Sequence, residues 1–377
     1  MGKSVFQKVR QQLDQYAFGF PSTDSGIEIE LLKVMFTEEE AFLFTNLTAE
    51  LESPQSVACK IKRPVEEVAN RLEDMAQKGL LFRQRKGNRV EYCAIPFIHG
   101  LLEFQVTRLG KKMVKMAGDY INQTYKHNMA QGTQSLIRTI PVQHSLDIRH
   151  NIAPYEDARE ILRRNKDLIV ITECACRQQK ALFNKDCGKP MEVCFMFGPM
   201  GQYYIDNDLG HQIHLDEAYR ILDQAHELGL ITQPASSQKP FTMCNCCVDC
   251  CGFLRAISKL PKPAQLVFSN YSAVVDYDKC CGCRICVKRC QLGAIKMNDN
   301  GRSEIEGDRC IGCGLCVTTC PEKARRLVPR PGQQHRVPPA DTAEQFREMV
   351  KKRGLKNIKP SQVFSFGFED SSCRESQ

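Results

Sequence analysis

Two cysteine strings repeated at a period of thirty residues constrain this chain more than any other feature. They read YDKCCGCRICVKRCQLGAI and GDRCIGCGLCVTTCPEKAR. Asp278 aligns with Asp308, Val287 with Val317 and Ala294 with Ala324, and each copy carries C-x2-C-x2-C-x3-C. The first string supplies Cys280, Cys283, Cys286 and Cys290, and the second Cys310, Cys313, Cys316 and Cys320, followed by Pro321. In such a spacing, three thiolates from one tight loop hold three corners of an iron–sulfur cubane. The fourth cysteine opens a short helix that points away and reaches a second cluster. Gly282, Gly312 and Gly314 let the backbone wrap closely around inorganic sulfide and aim amides at it. Paired C-x2-C units also hold zinc, but two complete four-cysteine strings in tandem point to iron and sulfide.

Residues 271–330 resemble the bacterial dicluster ferredoxin module. The resemblance implies one [4Fe-4S] cluster on Cys280, Cys283, Cys286 and Cys320, and a second on Cys310, Cys313, Cys316 and Cys290. No Asp replaces a second-position cysteine, so both clusters are expected to have four irons. The chain departs from the family pattern at Gln291, where the family usually has Pro, and Cys281 is an extra thiol not expected to ligate.

The rest of the cysteine inventory agrees with metal binding. Eighteen of the 21 cysteines fall between Cys174 and Cys320. The amino terminus lacks the apolar core of a signal peptide, and Phe6 breaks the myristoylation pattern. A cytoplasmic protein is therefore expected, in which clustered thiols hold metal rather than disulfides. No run of eighteen apolar residues suggests a membrane span. The net charge of +8 invites a nucleic-acid reading. Each four-thiolate [4Fe-4S]²⁺ site adds about −2, so two clusters bring the total to about +4 and four to about zero.

The fold class expected is α+β and multidomain. An amino-terminal helix (1–26) precedes a winged-helix-like domain with a packing helix (27–127). A connector (128–150), an α/β cysteine-rich middle domain (151–270), the dicluster ferredoxin-like domain (271–330) and a linker with a tail (331–377) follow. In the second segment, Thr37 and Glu40 read as a capping box, Ser53 and Pro54 as a helix start, and VEEVANRLEDMAQKG as a helix ended by Gly79. LLFRQ and VEYCAI read as a hairpin turning at Gly87 and Asn88. Helix, helix, turn, helix, hairpin looks like a winged helix. Its third helix carries Glu66, Glu67, Glu73 and Asp74, which oppose phosphate, while Arg83, Arg85, Lys86 and Arg89 make the hairpin basic. The balance favours a docking or structural role over reading DNA. PFIHGLLEFQVTRLGKKMVKMAGDYINQTYK is expected to be helical.

In the middle domain, YEDAREILRRN reads as a helix, DLIVIT as a buried strand, FMFGPMGQYYI as a hairpin at Gly198 and Pro199, and LDEAYRILDQAHEL as an amphipathic helix stopped by Gly229. Ala218, Ile221, Leu222, Ala225 and Leu228 form its apolar face. Nine cysteines surround these elements in two sequence groups: Cys174, Cys176, Cys187 and Cys194, then Cys244, Cys246, Cys247, Cys250 and Cys251. They are expected to hold one or two further iron–sulfur clusters, either group by group or in sets mixing the two. Zinc and redox-active thiols are the competing readings. Arg177 is placed to donate to cluster sulfur or an anionic ligand, or to form a surface ion pair. His211 and His214 read as polar filler. The string Cys250-Cys251-Gly252 resembles the CCG motif of heterodisulfide-reductase-type subunits, here in one copy. The order ECACR, CNCC, CCG, ferredoxin is similar to uncharacterised ferredoxin-containing proteins of anaerobes.

Beyond the ferredoxin segment, VPRPGQQHRVPPA reads as an extended linker, 341–353 as a short helix, and Phe364, Phe366 and Phe368 as a frayed or partner-docking end. Nucleotide, flavin and Ser-His-Asp motifs are absent. The leading expectation is an electron-transfer protein or subunit serving a redox partner protein. A redox-sensing winged-helix DNA-binding regulator and a small-substrate reductase using a middle-domain cluster are the alternatives.

Overall fold

The computed structural model describes residues 3–106, 108, 110–130, 136–142, 145, 153–330 and 335–355, with backbone alone over 125–130. Helices and strands are mixed, and among the described residues the strands form four separate sheets. None of the described helices is long and apolar enough to cross a membrane. The chain divides into two compact units: 1–133 with 198–210 and 341–377, and 134–197 with 211–340.

The first unit opens with α1 (Val5–Leu13), α2 (Ile27–Met35), α3 (Glu38–Thr45), α4 (Pro54–Ile61) and α5 (Val65–Gln77). A hairpin, β1 (Phe82–Lys86) and β2 (Arg89–Cys93), and then α6 (Lys111–Ala130) follow. Caps set several of these boundaries. Thr37 and Glu40 form the expected reciprocal box at α3, and the Ser53 hydroxyl accepts from the Ser56 amide at α4. The hairpin turns at residues 87–88, pairing Lys86 with Arg89. A bridge between Glu52 and Tyr92 adds a third short strand position beside it. Residues 97–130 are not one helix. His99 takes a left-handed conformation beside Gly100, which breaks the run before α6 begins.

Acidic α5 is tied to the hairpin. Glu73 accepts from Arg83, from Arg85 at 2.7 Å and from the Tyr92 hydroxyl at 2.8 Å. Arg83 is buried, and its second nitrogen lies 3.6 Å from Asp206.

The second unit contains α7 (Ala158–Arg164), β3 (Ile169–Glu173), α8 (Ala175–Ala181) and β4 (Glu192–Phe197). Its continuation at 198 is not the expected hairpin but a helix of the first unit, α9 (Gly198–Asp206). The apolar run from Met200 to Tyr204 buries several side chains at helical rather than alternating spacing. Tyr203 stacks on Phe104 at 4.3 Å, and its hydroxyl donates to the Ala76 and Leu81 carbonyls. Then come β5 (Gly210–Ile213), α10 (Leu215–Glu227), β6 (Ile231–Pro234), β7 (Thr242–Cys246) and α11 (Gly252–Ser258).

The five strands order as β5-β3-β4-β7-β6, with antiparallel pairing at β3/β4, β4/β7 and β7/β6. Ile169, Ile171, Phe195, Phe197 and Met243 pack with residues of α7 and α10, including Leu162 and Leu222. Because side chains alternate along a strand, Cys194, Cys244 and Cys246 fall on the other register. Leu228 is 40% exposed rather than part of the α10 face, since the helix ends there and the chain turns at Gly229 with φ +76°. Residues 136–142, inside the expected connector, follow the β6 edge: the Arg138 amide donates to Pro234 and that of Ile140 to Thr232. Residues 131–135, 143, 144 and 146–150 of that connector, and Phe364, Phe366 and Phe368, lie outside the described residues.

The ferredoxin segment folds as two copies of one plan. It comprises β8 (Tyr271–Val275), α12 (Ile285–Arg289), β9 (Ile295–Met297), β10 (Ser303–Ile305), α13 (Leu315–Thr318) and β11 (Arg325–Pro329). β8 pairs with β11 and β9 with β10, both antiparallel. The expected helix near the end is present as α14 (Thr342–Lys352), capped by Asp341 in the first unit.

Candidate metal centres

The thirty-residue period survives in three dimensions. The Ala294 amide donates to the Cys290 sulfur at 3.2 Å, and its counterpart Ala324 donates to Cys320 at 3.3 Å. The Ala273 amide donates to Cys310 at 3.4 Å, and the equivalent Ser303 amide serves Cys280. Gly282 and Gly312 both have positive φ. A β-carbon at Gly282 would meet the Gly301 carbonyl at 2.4 Å, and one at Gly312 the Tyr271 carbonyl at 2.3 Å. Gly314 and Arg284 take the same left-handed turn before their helices.

Cys310, Cys313 and Cys316 line a cavity together with Cys290, which comes from the other half of the repeat. Ala273, Leu292, Ile295 and Ile311 complete an apolar wall. Burial pushes the Cys316 thiol up to about 12, and it pushes Cys313 and Cys290 up as well. Thiolates crowded in an apolar wall are unfavourable without a cation. Four thiols around one cavity, with amides aimed at sulfur, fit a cubane of iron and sulfide.

In the other set, Cys286 is buried in the same apolar core as Cys310 and Cys316, while Cys280 and Cys320 are half-buried and Cys283 is exposed. Burial raises the Cys280 thiol, but hydrogen bonds from the Ser303 hydroxyl and nearby amides outweigh it and hold it below its ordinary value. Exposed Cys281 lies within hydrogen-bonding reach of Cys283.

Gln291, the departure from the family pattern, has partners of its own. Its side-chain oxygen accepts from the Val248 amide at 2.6 Å, and its nitrogen donates to the Gly229 carbonyl. Beside it, Arg289 donates to the carbonyls of His226 and Glu227. The ferredoxin segment is thereby bonded to the loops after α10 and β7, including the residue next to Cys247.

The nine middle cysteines are regrouped in space. Cys174 lies within hydrogen-bonding reach of Cys176 and Cys194, and Cys194 of Cys244. Cys246 reaches Cys244 and Cys251, and Cys251 reaches Cys176. Six thiols thus close a ring. It is built from the cysteines of β4 and β7 and from the starts of α8 and α11. Hydrogen bonds from neighbouring thiols, Cys176 first, hold Cys174 and Cys251 well below the ordinary thiol value.

The other three cysteines stand apart from that ring. The sulfurs of Cys187, Cys247 and Cys250 all lie within 4.8 Å of one another, with Cys187 and Cys247 at 3.5 Å. Each doublet, Cys246-Cys247 and Cys250-Cys251, gives one thiol to each group. Cys246 ends β7, and the turn that follows is closed by the Cys251 amide, which donates to the Cys247 carbonyl at 3.0 Å.

Arg177 is buried rather than at the surface, at 1% exposure. It donates to the Pro190 carbonyl at 2.7 Å and the Asn245 carbonyl at 3.1 Å, and it approaches the Cys247 sulfur at 3.9 Å. Burial opposes its charge, but Cys174, Cys187 and Cys247 hold its pKa above the ordinary value. His211 is exposed and faces Glu192 at 3.6 Å.

Residues 273–326 match the family model described as the 4Fe-4S dicluster domain. No curated protein and no solved structure matches the chain significantly. The carboxy-terminal part of this chain therefore carries a ferredoxin-type module that binds [4Fe-4S] and supports iron–sulfur electron transfer.

Proposed function

We propose that this chain is a cytoplasmic electron-transfer protein or subunit. Its ferredoxin module holds one [4Fe-4S] cluster on Cys280, Cys283, Cys286 and Cys320 and another on Cys310, Cys313, Cys316 and Cys290. The nine middle cysteines hold one or two more. The observation that carries this reading is the cavity where Cys290 from one repeat meets Cys310, Cys313 and Cys316 of the other. Bound there, such clusters take up and release single electrons without making or breaking substrate bonds. The apolar wall and the amide-to-sulfur bonds tune the potential.

The amino-terminal helices and hairpin suit a winged helix that docks a redox partner protein. A DNA-reading role is weakened because Arg83 and Arg85 are paired with Glu73 and Asp206. Phosphate affinity needs free cations. Anaerobic purification with iron and sulfide analysis, followed by EPR of the reduced protein, tests the reading. About eight irons with ferredoxin-type signals support the module alone, and about twelve or sixteen support middle clusters. Protein with no reducible cluster signal refutes it.

A further inference from the structure

The compact trio Cys187, Cys247 and Cys250 has no part in the ferredoxin module. Its three sulfurs all lie within 4.8 Å of one another, with Cys187 and Cys247 at 3.5 Å. With a zinc–sulfur length of about 2.3 Å, the edge of a tetrahedron of sulfurs is about 3.8 Å. In a cubane each thiolate sits on its own iron, so the thiolates stand farther apart. The trio therefore fits around one ion. Soft thiolates in tetrahedral geometry select zinc or an iron–sulfur cluster, and the spacing leaves zinc.

The local backbone suits such an ion. Cys247-Val248-Asp249-Cys250 has the C-x2-C spacing of a zinc ligand pair. The Cys250 amide donates to the Cys247 sulfur, and the Cys251 amide closes the turn on the Cys247 carbonyl at 3.0 Å. On the other loop, Gly188 takes φ +66°, and the Lys189 amide donates to the Cys187 sulfur. Amides aimed at sulfur favour the thiolate that a metal needs and fix its direction.

Buried Arg177 joins the two loops. It donates to the carbonyl of Pro190, just after Cys187, at 2.7 Å, and to that of Asn245, just before Cys247, at 3.1 Å. Its charge also matches the site. Three thiolates on a divalent zinc ion leave a net charge of about −1, and the guanidinium lies 3.9 Å from the Cys247 sulfur. A buried charge needs an opposite one beside it.

We propose that Cys187, Cys247 and Cys250 hold a single zinc ion whose fourth position is left to water. Among the described residues, no fourth Cys, His, Asp or Glu joins that group of mutually close ligand atoms. Cys247 and Cys250 are buried, but Cys187 is partly exposed, so water reaches the group. The ion fastens the segment between α8 and β4 to the turn that precedes α11. This goes beyond the electron-transfer reading and narrows one part of it: the further cluster falls to the six-thiol ring.

The test uses full-length protein purified without oxygen. Metal analysis should return about one zinc per chain beside the ferredoxin iron, and X-ray absorption at the zinc edge should show three sulfurs at about 2.3 Å and one lighter atom. Cys187→Ser and Cys250→Ser should each lose the zinc and keep the iron, while the retained ferredoxin EPR signals report a folded protein. Cys244→Ser, in the ring, should keep the zinc. The proposal is overturned if wild type holds no zinc, if the trio variants keep it or lose iron in its place, or if Cys244→Ser releases it. Four sulfurs around the zinc, or about sixteen irons per chain, would overturn it too. Wild type with the zinc in place but without ferredoxin signals would uphold this site and overturn the electron-transfer reading.

Discussion

Single backbone positions carry the closest tolerances in the ferredoxin segment. Gly312 has φ +69°, and any β-carbon there meets the Tyr271 carbonyl and the Ser269 hydroxyl. Gly312→Ala should therefore destabilise the segment by about 2–3 kcal/mol, read as faster iron loss to a chelator and a lower midpoint of cluster bleaching on heating. Its repeat partner Gly282 should behave alike. The opposite substitution is informative at Arg284, which takes at φ +63° the turn that Gly314 takes in the second copy. Arg284→Gly relieves left-handed strain against a smaller entropy cost, and should stabilise by about 0.5–1 kcal/mol in the same assay. A loss of stability would show that the Arg284 side chain contributes more than its backbone costs.

At the level of elements, charge pairing fixes the first unit. Glu73 of α5 satisfies Arg83, Arg85 and Tyr92 of the hairpin. Glu73→Ala leaves buried Arg83 with Asp206 as its remaining carboxylate, and should cost about 3 kcal/mol, seen as a lower urea midpoint for the helical signal. Glu40, at the start of α3, gives a pH dependence. Burial raises its carboxyl, but Lys78 at 2.7 Å and the Thr37 groups outweigh it and hold it below its ordinary value. A carboxylate depressed in the folded state stabilises above its unfolded pKa, and that stability is lost as pH falls through the folded value. Wild type should thus lose more stability than Glu40→Gln between pH 6 and pH 3, in parallel urea titrations. Gln291 joins two elements in the same way within the second unit. Gln291→Pro, which restores the family residue, leaves the Val248 amide and Gly229 carbonyl without their side-chain partner. It should lower the thermal midpoint while leaving the ferredoxin EPR signals in place.

Over the whole molecule, the charge follows the metal content. The bare sequence is +8, and each cluster site adds about −2. Holoprotein should therefore focus at a lower pH than chelator-stripped protein, with a larger gap if the middle sites are filled; equal isoelectric points would contradict cluster binding. Much of this was legible in the chain itself. The thirty-residue repeat, the glycine turns, the helix caps at Thr37 and Ser53 and the stop at Gly229 are local, set by short-range sterics and hydrogen bonds. The helix at 198–206 replaces the expected hairpin because a Gly-Pro pair serves a strand-to-helix corner as well as a hairpin, and only packing around Tyr203 distinguishes the two. The middle cysteines show the boundary most clearly. Chain order places Cys187 with Cys174, Cys176 and Cys194, and puts the two doublets together. Strand pairing brings Cys194, Cys244 and Cys246 together, and the turn after β7, closed by the Cys251 amide on the Cys247 carbonyl, puts Cys251 with them and Cys250 with Cys247. Which thiols exist and how they are spaced belongs to the sequence; which of them share one site was decided by the tertiary structure alone.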